Sequence, residues 1–327
     1  MFCIILGTRP EIIKFSPIIK RLKDCFVIHT GQHYSTNMDK VFFEGLNLPE
    51  PEYNLNSTHI SNMITGISSI LSQRKPDKVL VLGDTNSTLA GTLAANRLKI
   101  PLVHLEAGLR SYDIVMAEEV NRMLADHLSD ILFTPTETAN QNLLHEKVRG
   151  EICVFGNTIV DVVDTFSGVT EDPGDYALVT IHRAENVDIE SRLRSILSAL
   201  DKLDIFAYFP VHPRTSKQMN IFSLNTRVKT IPPLSYFKMI QLLRFAKVVI
   251  TDSGGLQEEA CILGVPCVTV RDTTERPETV KLGANILVGT QTDNILSGVR
   301  KMIQSPRNWK HPYGENVSEK ICQKLAS

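Results

Sequence analysis

Short, continuously apolar runs alternate with amphipathic stretches from one end of the chain to the other. An apolar run without polar alternation is typical of a parallel strand that is buried on both faces. Repeated alternation of such strands with helices predicts open parallel sheets with helices on both faces. We expect strands at residues 2–6, 26–30, 79–83, 102–106, 131–136, 152–156, 176–182, 206–212, 247–253, 267–272 and 286–289.

The chain has 327 residues, which exceeds one comfortable hydrophobic core and predicts two domains. The alternation restarts after a segment rich in glycine, proline and acidic residues at 168–175, which indicates a linker. We therefore predict two doubly wound, Rossmann-like parallel-sheet domains, residues 1–166 and 167–327, that face a cleft. A last amphipathic helix, at about 306–327, is a candidate to pack back on the N-terminal domain.

Composition excludes several classes of protein. The 35 basic and 36 acidic residues nearly balance, so no global charge points to nucleic acid or an anionic membrane. The six cysteines are scattered without a C-x-x-C pair, which argues against disulfides and zinc and favours a reducing cytoplasm. The first residues are typical of a strand rather than a signal peptide, and no apolar run approaches the roughly 20 residues of a membrane span. The expected partner is a small molecule.

Ligands of such sheets bind beyond the carboxyl ends of the strands, so the polar residues there carry most of the functional information. After the first strand stands ILGTRPEIIK, whose single glycine does not form the G-x-G-x-x-G fingerprint of a bound dinucleotide. Arg9 is placed to face an anion at a helix N-terminus, with Lys14 one turn further on. Alternatively, Arg9 caps the carbonyl groups of a neighbouring strand.

Three acids and an arginine follow later strands of the first domain: Asp84, Glu106, Arg110 and Glu118. Asp84 could serve only as a helix N-cap, and Glu118 could serve only to interact with a helix dipole. However, Asp84, Glu106 and Glu118 all fall at the same edge of the predicted sheet. This convergence indicates proton chemistry, and we expect no bound metal because no metal-ligand spacing occurs.

The second domain offers cations and hydrogen-bond donors at its strand ends. His182 and Arg183 follow one strand, and His212 and Arg214 follow the next. Each histidine alone could be a buried structural residue. Two histidine–arginine pairs at equivalent strand ends are less easily explained in that way.

A turn with two glycines leads from an apolar strand into a helix near residue 253. The backbone amides of Ser253, Gly254 and Gly255 suit a diphosphate at the helix N-terminus. One helical turn later, Glu259 could accept hydrogen bonds from ribose hydroxyls, and Arg271 ends the next strand. The region therefore resembles a clamp for a nucleoside diphosphate.

Together these motifs closely resemble the non-hydrolysing UDP-N-acetylglucosamine 2-epimerases. GTRPEIIK, GDTNST, HLEAGLRS, EEVNR, GNTIVD, TIHRAEN, TDSGGLQEEA and RDTTERPE occur in the order and spacing of that family. The resemblance implies a two-domain GT-B fold, a homodimer, no cofactor and a UDP-sugar substrate, with UDP on the second domain. The implied reaction is reversible epimerisation of UDP-N-acetylglucosamine to UDP-N-acetylmannosamine through a 2-acetamidoglucal intermediate.

The resemblance also implies roles for the strand-end residues. The catalytic residues would be Asp84, Glu106, Glu118 and His182. The substrate-binding residues would be Arg9, Lys14, Arg110, Arg183, His212, Arg214, Ser253, Gly254, Gly255, Glu259 and Arg271.

Two segments depart from the bacterial members of the family. Gln32, His33 and Tyr34 stand where those proteins have a Gln-His-Arg segment that lines an allosteric substrate site, and residues 62–71 lack an arginine of their pattern. Because of these two segments, activation by a second UDP-sugar stays open. Separately, Ala117 replaces the proline that usually precedes the glutamate pair.

Alternative functions also stay open. The substrate could be another UDP-2-acetamido sugar, and a hydrolysing relative would release free N-acetylmannosamine. A GT-B glycosyltransferase would share the fold and the nucleotide clamp, although no acceptor groove is marked in the sequence. A non-catalytic UDP-sugar sensor is a further alternative.

Overall fold

The computed structural model of the protein describes residues 1–32, 42–165 and 174–327. It divides into two compact units, Met1–Val162 with Pro312–Ser327, and Val163–His311. The expected boundary between residues 166 and 167 lies outside the described residues, as does most of the expected linker. In the described part of the chain, no helix is long and apolar enough to cross a membrane.

The first unit contains a parallel sheet that has seven strands in the described residues, in the order β3-β2-β1-β4-β5-β6-β7. The chain first builds the sheet outward from β1 in one direction and then outward from β4 in the other. The β1–β4 pair is therefore the topological switch point, where ligands of open α/β sheets bind. The strands are β1 Phe2–Leu6, β2 Cys25–His29, β3 Tyr53–Asn54, β4 Lys78–Leu82, β5 Leu102–Leu105, β6 Ile131–Thr134 and β7 Glu151–Val154.

Helices connect these strands, and local sequence signals mark where several of them begin. The side chain of Thr85 accepts a hydrogen bond from the Thr88 amide at 3.1 Å, and Thr136 accepts one from Ala139 at 3.3 Å, as N-cap residues do. Residues 42–45 are also helical. The helices are Arg9–Ile19, Ile60–Arg74, Asn86–Leu98, Ala117–Leu128, Glu137–Glu146, Ile159–Thr165 and Val317–Ala326.

The last helix, Val317–Ala326, belongs to the first unit and packs against the helix Arg9–Ile19. Its N-terminus is held by the carboxylate of Asp161, which accepts hydrogen bonds from the amides of Val317 at 3.2 Å and Ser318 at 2.6 Å. An acid at a helix N-terminus satisfies unpaired amides and complements the helix dipole. The chain thus returns to the first unit after completing the second.

The second unit repeats the plan with a parallel sheet in the order β10-β9-β8-β11-β12-β13. Here the switch point is the β8–β11 pair, which corresponds to β1–β4 of the first unit. The strands are β8 Tyr176–Thr180, β9 Phe206–Pro210, β10 Lys229–Ile231, β11 Val248–Thr251, β12 Cys267–Thr269 and β13 Asn285–Leu287. The helices are Ala184–Val187, Glu190–Leu200, Pro213–Ile221, Tyr236–Phe245, Gly254–Ile262, Pro277–Lys281 and Thr292–Gln304.

Both faces of strand β8 are buried, which explains why its sequence is continuously apolar. Ala177 and Val179 pack in one hydrophobic cluster with Leu193 of the helix Glu190–Leu200. The intervening Leu178 packs in a second cluster with Ile240 of the helix Tyr236–Phe245. Both faces of the strand are therefore covered by helices, which confirms the predicted doubly wound architecture.

Each of the eleven predicted strands overlaps a strand of the structure. The sequence did not predict β3 and β10, which are two and three residues long and lie at sheet edges. Short edge strands bury little apolar surface, so they produce no apolar run that a pattern could reveal.

Candidate functional site

The carboxyl end of β5 carries Glu106, whose side chain is tightly paired. Lys14, from the helix that follows β1, forms an ion pair with Glu106 Oε1, and both side chains are only 9% exposed. Asn157, which follows β7, donates to the same oxygen at 2.7 Å. The backbone of Glu106 adopts a left-handed conformation with φ of 60°, which is uncommon for a residue with a side chain and recurs at functional sites.

Asp84 follows the neighbouring strand, β4, and is held by the helix Ala117–Leu128. Arg122 pairs with Asp84 Oδ2 through one nitrogen and donates to Glu119 Oε2 at 2.7 Å through another. Asn121 donates to the backbone carbonyl of Asp84 at 2.9 Å. A β-carbon on Gly83 would lie 3.6 Å from Glu106 Oε2, so the Asp84 and Glu106 loops are adjacent.

The two glutamates of the sequence AEEVNR are placed differently. Glu119 is buried and accepts hydrogen bonds from the amides of Ser111 at 3.0 Å and Tyr112 at 2.9 Å, so it anchors the preceding loop. Glu118 is exposed in the first turn of a helix that begins at Ala117. Of the pair, Glu118 is therefore the one available to a ligand.

Arg110 does not contact the other predicted acids of the site. Its buried guanidinium forms two hydrogen bonds of 2.6 Å with Glu146 and an ion pair of 2.7 Å with Asp126. Asp126 also lies 2.8 Å from the Nδ1 atom of the buried His104. The structure therefore gives Arg110 a role inside the unit that sequence reasoning did not foresee, and its contact with substrate stays a prediction.

Gln32 precedes the part of the chain that departs from the bacterial pattern. Its side-chain oxygen accepts hydrogen bonds from the amide and the hydroxyl of Ser87, at 3.1 and 2.9 Å. His33 and Tyr34 lie outside the described residues.

At the switch point of the second unit, His182 and Arg183 follow β8 beside the buried Asp252. The Asp252 carboxylate accepts hydrogen bonds from the amides of His182 at 3.0 Å and Arg183 at 2.9 Å, and from the side chain of Asn186 at 3.1 Å. His182 Nδ1 lies 3.3 Å from the same carboxylate. Burial lowers the pKa of His182 more than Asp252 raises it, so the ring is neutral near pH 7.

His212 and Arg214 follow the next strand, β9. The rings of His182 and His212 lie 5.3 Å apart between centroids, so the structure brings the two predicted histidines together. His212 Nδ1 accepts a hydrogen bond from the Arg214 amide at 3.1 Å and so caps the helix Pro213–Ile221. The Arg214 guanidinium forms an exposed ion pair with Asp188 at 2.5 Å.

Open space adjoins the first turn of the helix Gly254–Ile262. Ser253 is its N-cap residue. A β-carbon on Gly255 would meet no heavy atom of the described residues within 4 Å. One on Gly254 would lie 3.8 Å from Glu275 Oε2, an oxygen that is bonded to Arg271, and 3.9 Å from the Arg183 guanidinium. Backbone amides, the helix dipole and a cation thus converge on a space that suits an anion such as a phosphate.

Two further predicted residues lie near this helix. Glu259 is 7% exposed, and burial together with the Glu259 carboxylate raises the pKa of Tyr236 well above its ordinary value. Arg271 is buried and makes hydrogen bonds of 2.8 and 3.1 Å to Glu275 and one of 2.9 Å to Glu185. Burial would raise the pKa of Glu275, but the contact with Arg271 outweighs it and lowers this pKa to about 2.

Sequence reasoning missed three residues of these sites: Asn157, Tyr236 and Asp252. Asn157 and Asp252 each stand at the end of a strand within a quoted motif, so position relative to the strand was the signal available. No pattern marked Tyr236, because its contact with Glu259 joins two different helices.

Two doubly wound parallel-sheet units, one of seven strands and one of six in the described residues, are the architecture of the GT-B class. A model of the UDP-N-acetylglucosamine 2-epimerase family matches residues 19–326. The chain belongs to this family, as the motif resemblance predicted.

Individual relatives agree with this assignment. The UDP-N-acetylglucosamine 2-epimerase of Methanocaldococcus jannaschii is 49% identical, over 98% of each chain. Its crystal structure in complex with UDP-GlcNAc and UDP has a TM-score of 0.89 and covers 99% of each chain. The UDP-2,3-diacetamido-2,3-dideoxy-D-glucuronate 2-epimerase of Pseudomonas aeruginosa is 42% identical over 90% of each chain. Phytolacca americana UGT2 has a TM-score of 0.64 at 12% identity and so shares the fold alone.

Proposed function

We propose that this chain reversibly converts UDP-N-acetylglucosamine to UDP-N-acetylmannosamine by inverting carbon 2. The observation that carries the proposal is the pair of strand-end carboxylates, Asp84 and Glu106, each held by a cation in a member of this epimerase family. The M. jannaschii relative bears the name of this activity and has been crystallised with UDP-GlcNAc and UDP. Simple binding or glycosyl transfer would not need several acids at one sheet edge.

The proposed chemistry begins with the leaving group. The proton on carbon 2 is not beside a carbonyl group, so a carboxylate alone cannot remove it. When the bond from carbon 1 to the UDP oxygen breaks, its electron pair leaves with UDP and positive charge grows at carbon 1. The proton on carbon 2 then becomes acidic and passes to a carboxylate, which gives 2-acetamidoglucal. Re-addition of UDP, with a proton delivered to the other face of carbon 2, completes the inversion.

The second unit is suited to hold the leaving diphosphate. In this proposal the Gly254 and Gly255 amides, Ser253 and Arg183 stabilise the charge that develops on UDP. Preorganised donors of this kind contribute roughly 3–4 kcal/mol each. Glu259 would accept hydrogen bonds from the ribose. The second unit would thus form the UDP-binding domain, without the last helix, which belongs to the first unit.

The first unit is suited to move the proton and would form the catalytic domain. Asp84, Glu106 and Glu118 would share the acid and base roles, which contribute about a hundred- to ten-thousandfold to the rate. Arg122 pairs with Asp84 and Lys14 pairs with Glu106, so each of these carboxylates is held in a fixed position. Arg9 would face the diphosphate from this unit.

His182 has a distinct proposed role because its ring is neutral near pH 7. With Nδ1 directed to Asp252, its Nε2 atom is left as a hydrogen-bond acceptor for a sugar hydroxyl or a shuttled proton. Contacts of Arg110, His212, Arg214 and Arg271 with substrate are expected from the resemblance. We also propose that the enzyme acts as a cytoplasmic homodimer.

The test is incubation of the purified protein with UDP-N-acetylglucosamine in heavy water without added cofactor. NMR should show UDP-N-acetylmannosamine and deuterium at carbon 2 of both epimers. Absence of both product and exchange, or a requirement for NAD, would overturn the proposal. Free N-acetylmannosamine with UDP would indicate a hydrolysing enzyme instead.

A second substrate deserves the same assay because one relative is named for it. The P. aeruginosa protein named as a UDP-2,3-diacetamido-2,3-dideoxy-D-glucuronate 2-epimerase is 42% identical to this chain. Comparison of kcat/KM for the two UDP-sugars would decide between them. We expect the higher value for UDP-N-acetylglucosamine, since the M. jannaschii relative that bears this name is 49% identical.

A further inference from the structure

A buried carboxylate, that of Glu11, lies where two loops of the first unit meet. Its Oε2 atom accepts hydrogen bonds from the amides of Gly7 at 2.9 Å and Thr8 at 2.8 Å, and from the Thr8 hydroxyl at 2.8 Å. Its Oε1 atom accepts one from the hydroxyl of Thr85 at 2.7 Å and a longer one from the hydroxyl of Thr88 at 3.3 Å. Glu11 is 1% exposed, so it cannot itself touch a ligand.

The bonds of Glu11 join the ends of two different strands. Gly7 and Thr8 follow β1, and Thr85 follows β4, the two strands of the switch point. The next residue after Thr8 is Arg9, and the residue before Thr85 is Asp84. One carboxylate therefore links the loop that carries a proposed anion-binding arginine to the loop that carries a proposed acid–base residue.

The cross-loop bond is well defined by the other contacts of Thr85. The Thr85 hydroxyl oxygen accepts a hydrogen bond from the Thr88 amide at 3.1 Å and lies 3.2 Å from the Thr88 hydroxyl, and its shortest contact is the 2.7 Å bond to Glu11. On the other side, a β-carbon on Gly7 would lie 2.0 Å from Thr30 Oγ1 and 2.2 Å from Ser87 Oγ. The β1 loop is thus packed between Glu11 and these hydroxyls and has little room to shift.

A helix N-terminus does not require this arrangement. The bonds from Thr8 and Gly7 to Glu11 are the capping arrangement of the helix Arg9–Ile19, and they lie within one loop. The bond from Thr85 adds nothing to that cap, because it comes from a residue 74 positions away. The bond from Thr85 instead holds the end of β4 at a fixed distance from the end of β1.

We propose that Glu11 is a positioning residue for the epimerase reaction, which sets the spacing of Arg9 and Asp84 through its bond to Thr85. This inference rests on the function proposed above. Loss of the link would leave the UDP contacts of the second unit intact but would misplace the acid–base group. A misplacement of about 1 Å can cost a hundredfold in rate.

Two threonine variants form a matched test, because each removes one hydroxyl that donates to Glu11 and each residue precedes a helix. Thr85→Val removes the bond between the loops, whereas Thr8→Val removes a bond within one loop. We expect Thr85→Val to lower kcat at least tenfold with KM within threefold of wild type. Thr8→Val should keep kcat within threefold, and Thr85→Ser, which retains the hydroxyl, should restore it.

Melting temperature and UDP affinity, measured by calorimetry, separate a misplaced loop from an unfolded protein. If Thr85→Val does not fold, Glu11→Gln keeps the shape of the side chain and should show the same loss of kcat with unchanged UDP affinity. Equal loss of kcat in the two valine variants, or wild-type kcat in Thr85→Val and Glu11→Gln, would overturn the inference. A wild-type protein without epimerase activity would instead overturn the proposed function.

Discussion

The ammonium group of Lys14 forms an ion pair with the carboxylate of Glu106, although the two residues are 92 positions apart in the chain. Lys14 lies on the helix after β1 and Glu106 follows β5, so only the folded sheet brings them together. Both side chains are almost fully buried, and the pair lies beside the loop of Asp84. This relationship gives the proposed base a fixed position and a compensating charge.

Removal of the cation should therefore damage both stability and activity. We expect Lys14→Met to lower the free energy of unfolding by about 3–5 kcal/mol, because it leaves the buried Glu106 charge without its cation. The double variant with Glu106→Gln should regain most of this stability but remain inactive. Urea denaturation and the epimerase assay provide the measurements.

A matched control is the exposed ion pair of Arg194 with Glu190, at 2.5 Å. Arg194→Met should change stability little, since exposed pairs contribute at most about 1 kcal/mol. If Lys14→Met were as harmless as Arg194→Met, the buried pair would have no importance for folding.

The space at the helix Gly254–Ile262 should be sensitive to one methyl group. Gly255→Ala adds a β-carbon that meets no described atom, in a helix, so the fold should be kept or stabilised by up to about 1 kcal/mol. We expect UDP affinity to fall at least tenfold, because the methyl group would occupy the proposed phosphate site. Titration calorimetry with UDP measures this.

Gly264, at the other end of the same helix, supplies the control for this variant. A β-carbon there also meets no described atom within 4 Å, but its φ of 71° is left-handed. Gly264→Ala should therefore cost about 1–2 kcal/mol of stability and leave UDP affinity unchanged. Unchanged UDP affinity in Gly255→Ala would place the nucleotide away from this helix.

Replacement of Arg110 tests whether this residue mainly stabilises the fold or mainly contacts the substrate. Arg110→Met should destabilise the protein by about 3–5 kcal/mol, because the fully buried Asp126 and the half-buried Glu146 lose their shared cation. The exposed Arg149 of the same unit is the control, and its replacement by Met should have little effect. If Arg110→Met instead kept its stability and raised KM for the UDP-sugar, the substrate contact would be its main role.

Glu11 should make stability depend on pH. Burial raises its pKa from 4.5 to about 7, so the folded protein holds a proton that the unfolded chain releases. The resulting stabilisation is fully present below pH 4.5 and is lost as the pH rises through 7. It amounts to about 3 kcal/mol.

Urea denaturation of wild type and Glu11→Gln at several pH values tests this, since glutamine cannot titrate. The wild type should lose about 3 kcal/mol relative to the variant between pH 4.5 and pH 8. A difference that does not vary with pH would show that the carboxyl group titrates normally.

Much of the fold was predictable because its signals are local. Strands buried on both faces must be continuously apolar, so FCIIL and YALVT mark β1 and β8 without any knowledge of their neighbours. Residues that follow such strands must lie at one sheet edge, so Asp84 and Glu106 were placed correctly at strand ends. The same motifs were specific enough to identify the family.

Tertiary structure decided which of those polar residues are free to meet a ligand. The sequence treated Arg110 and Arg183 alike, but the fold buries Arg110 between two acids and leaves Arg183 beside an open helix N-terminus. Likewise, adjacent glutamates became a loop anchor at 119 and an exposed acid at 118. The hydrophobic pattern of a strand or helix depends on residues that are close in the chain, so it can be predicted from the sequence. The partner of a charge depends on strand order and helix packing, which bring distant residues together only when the sheet has formed.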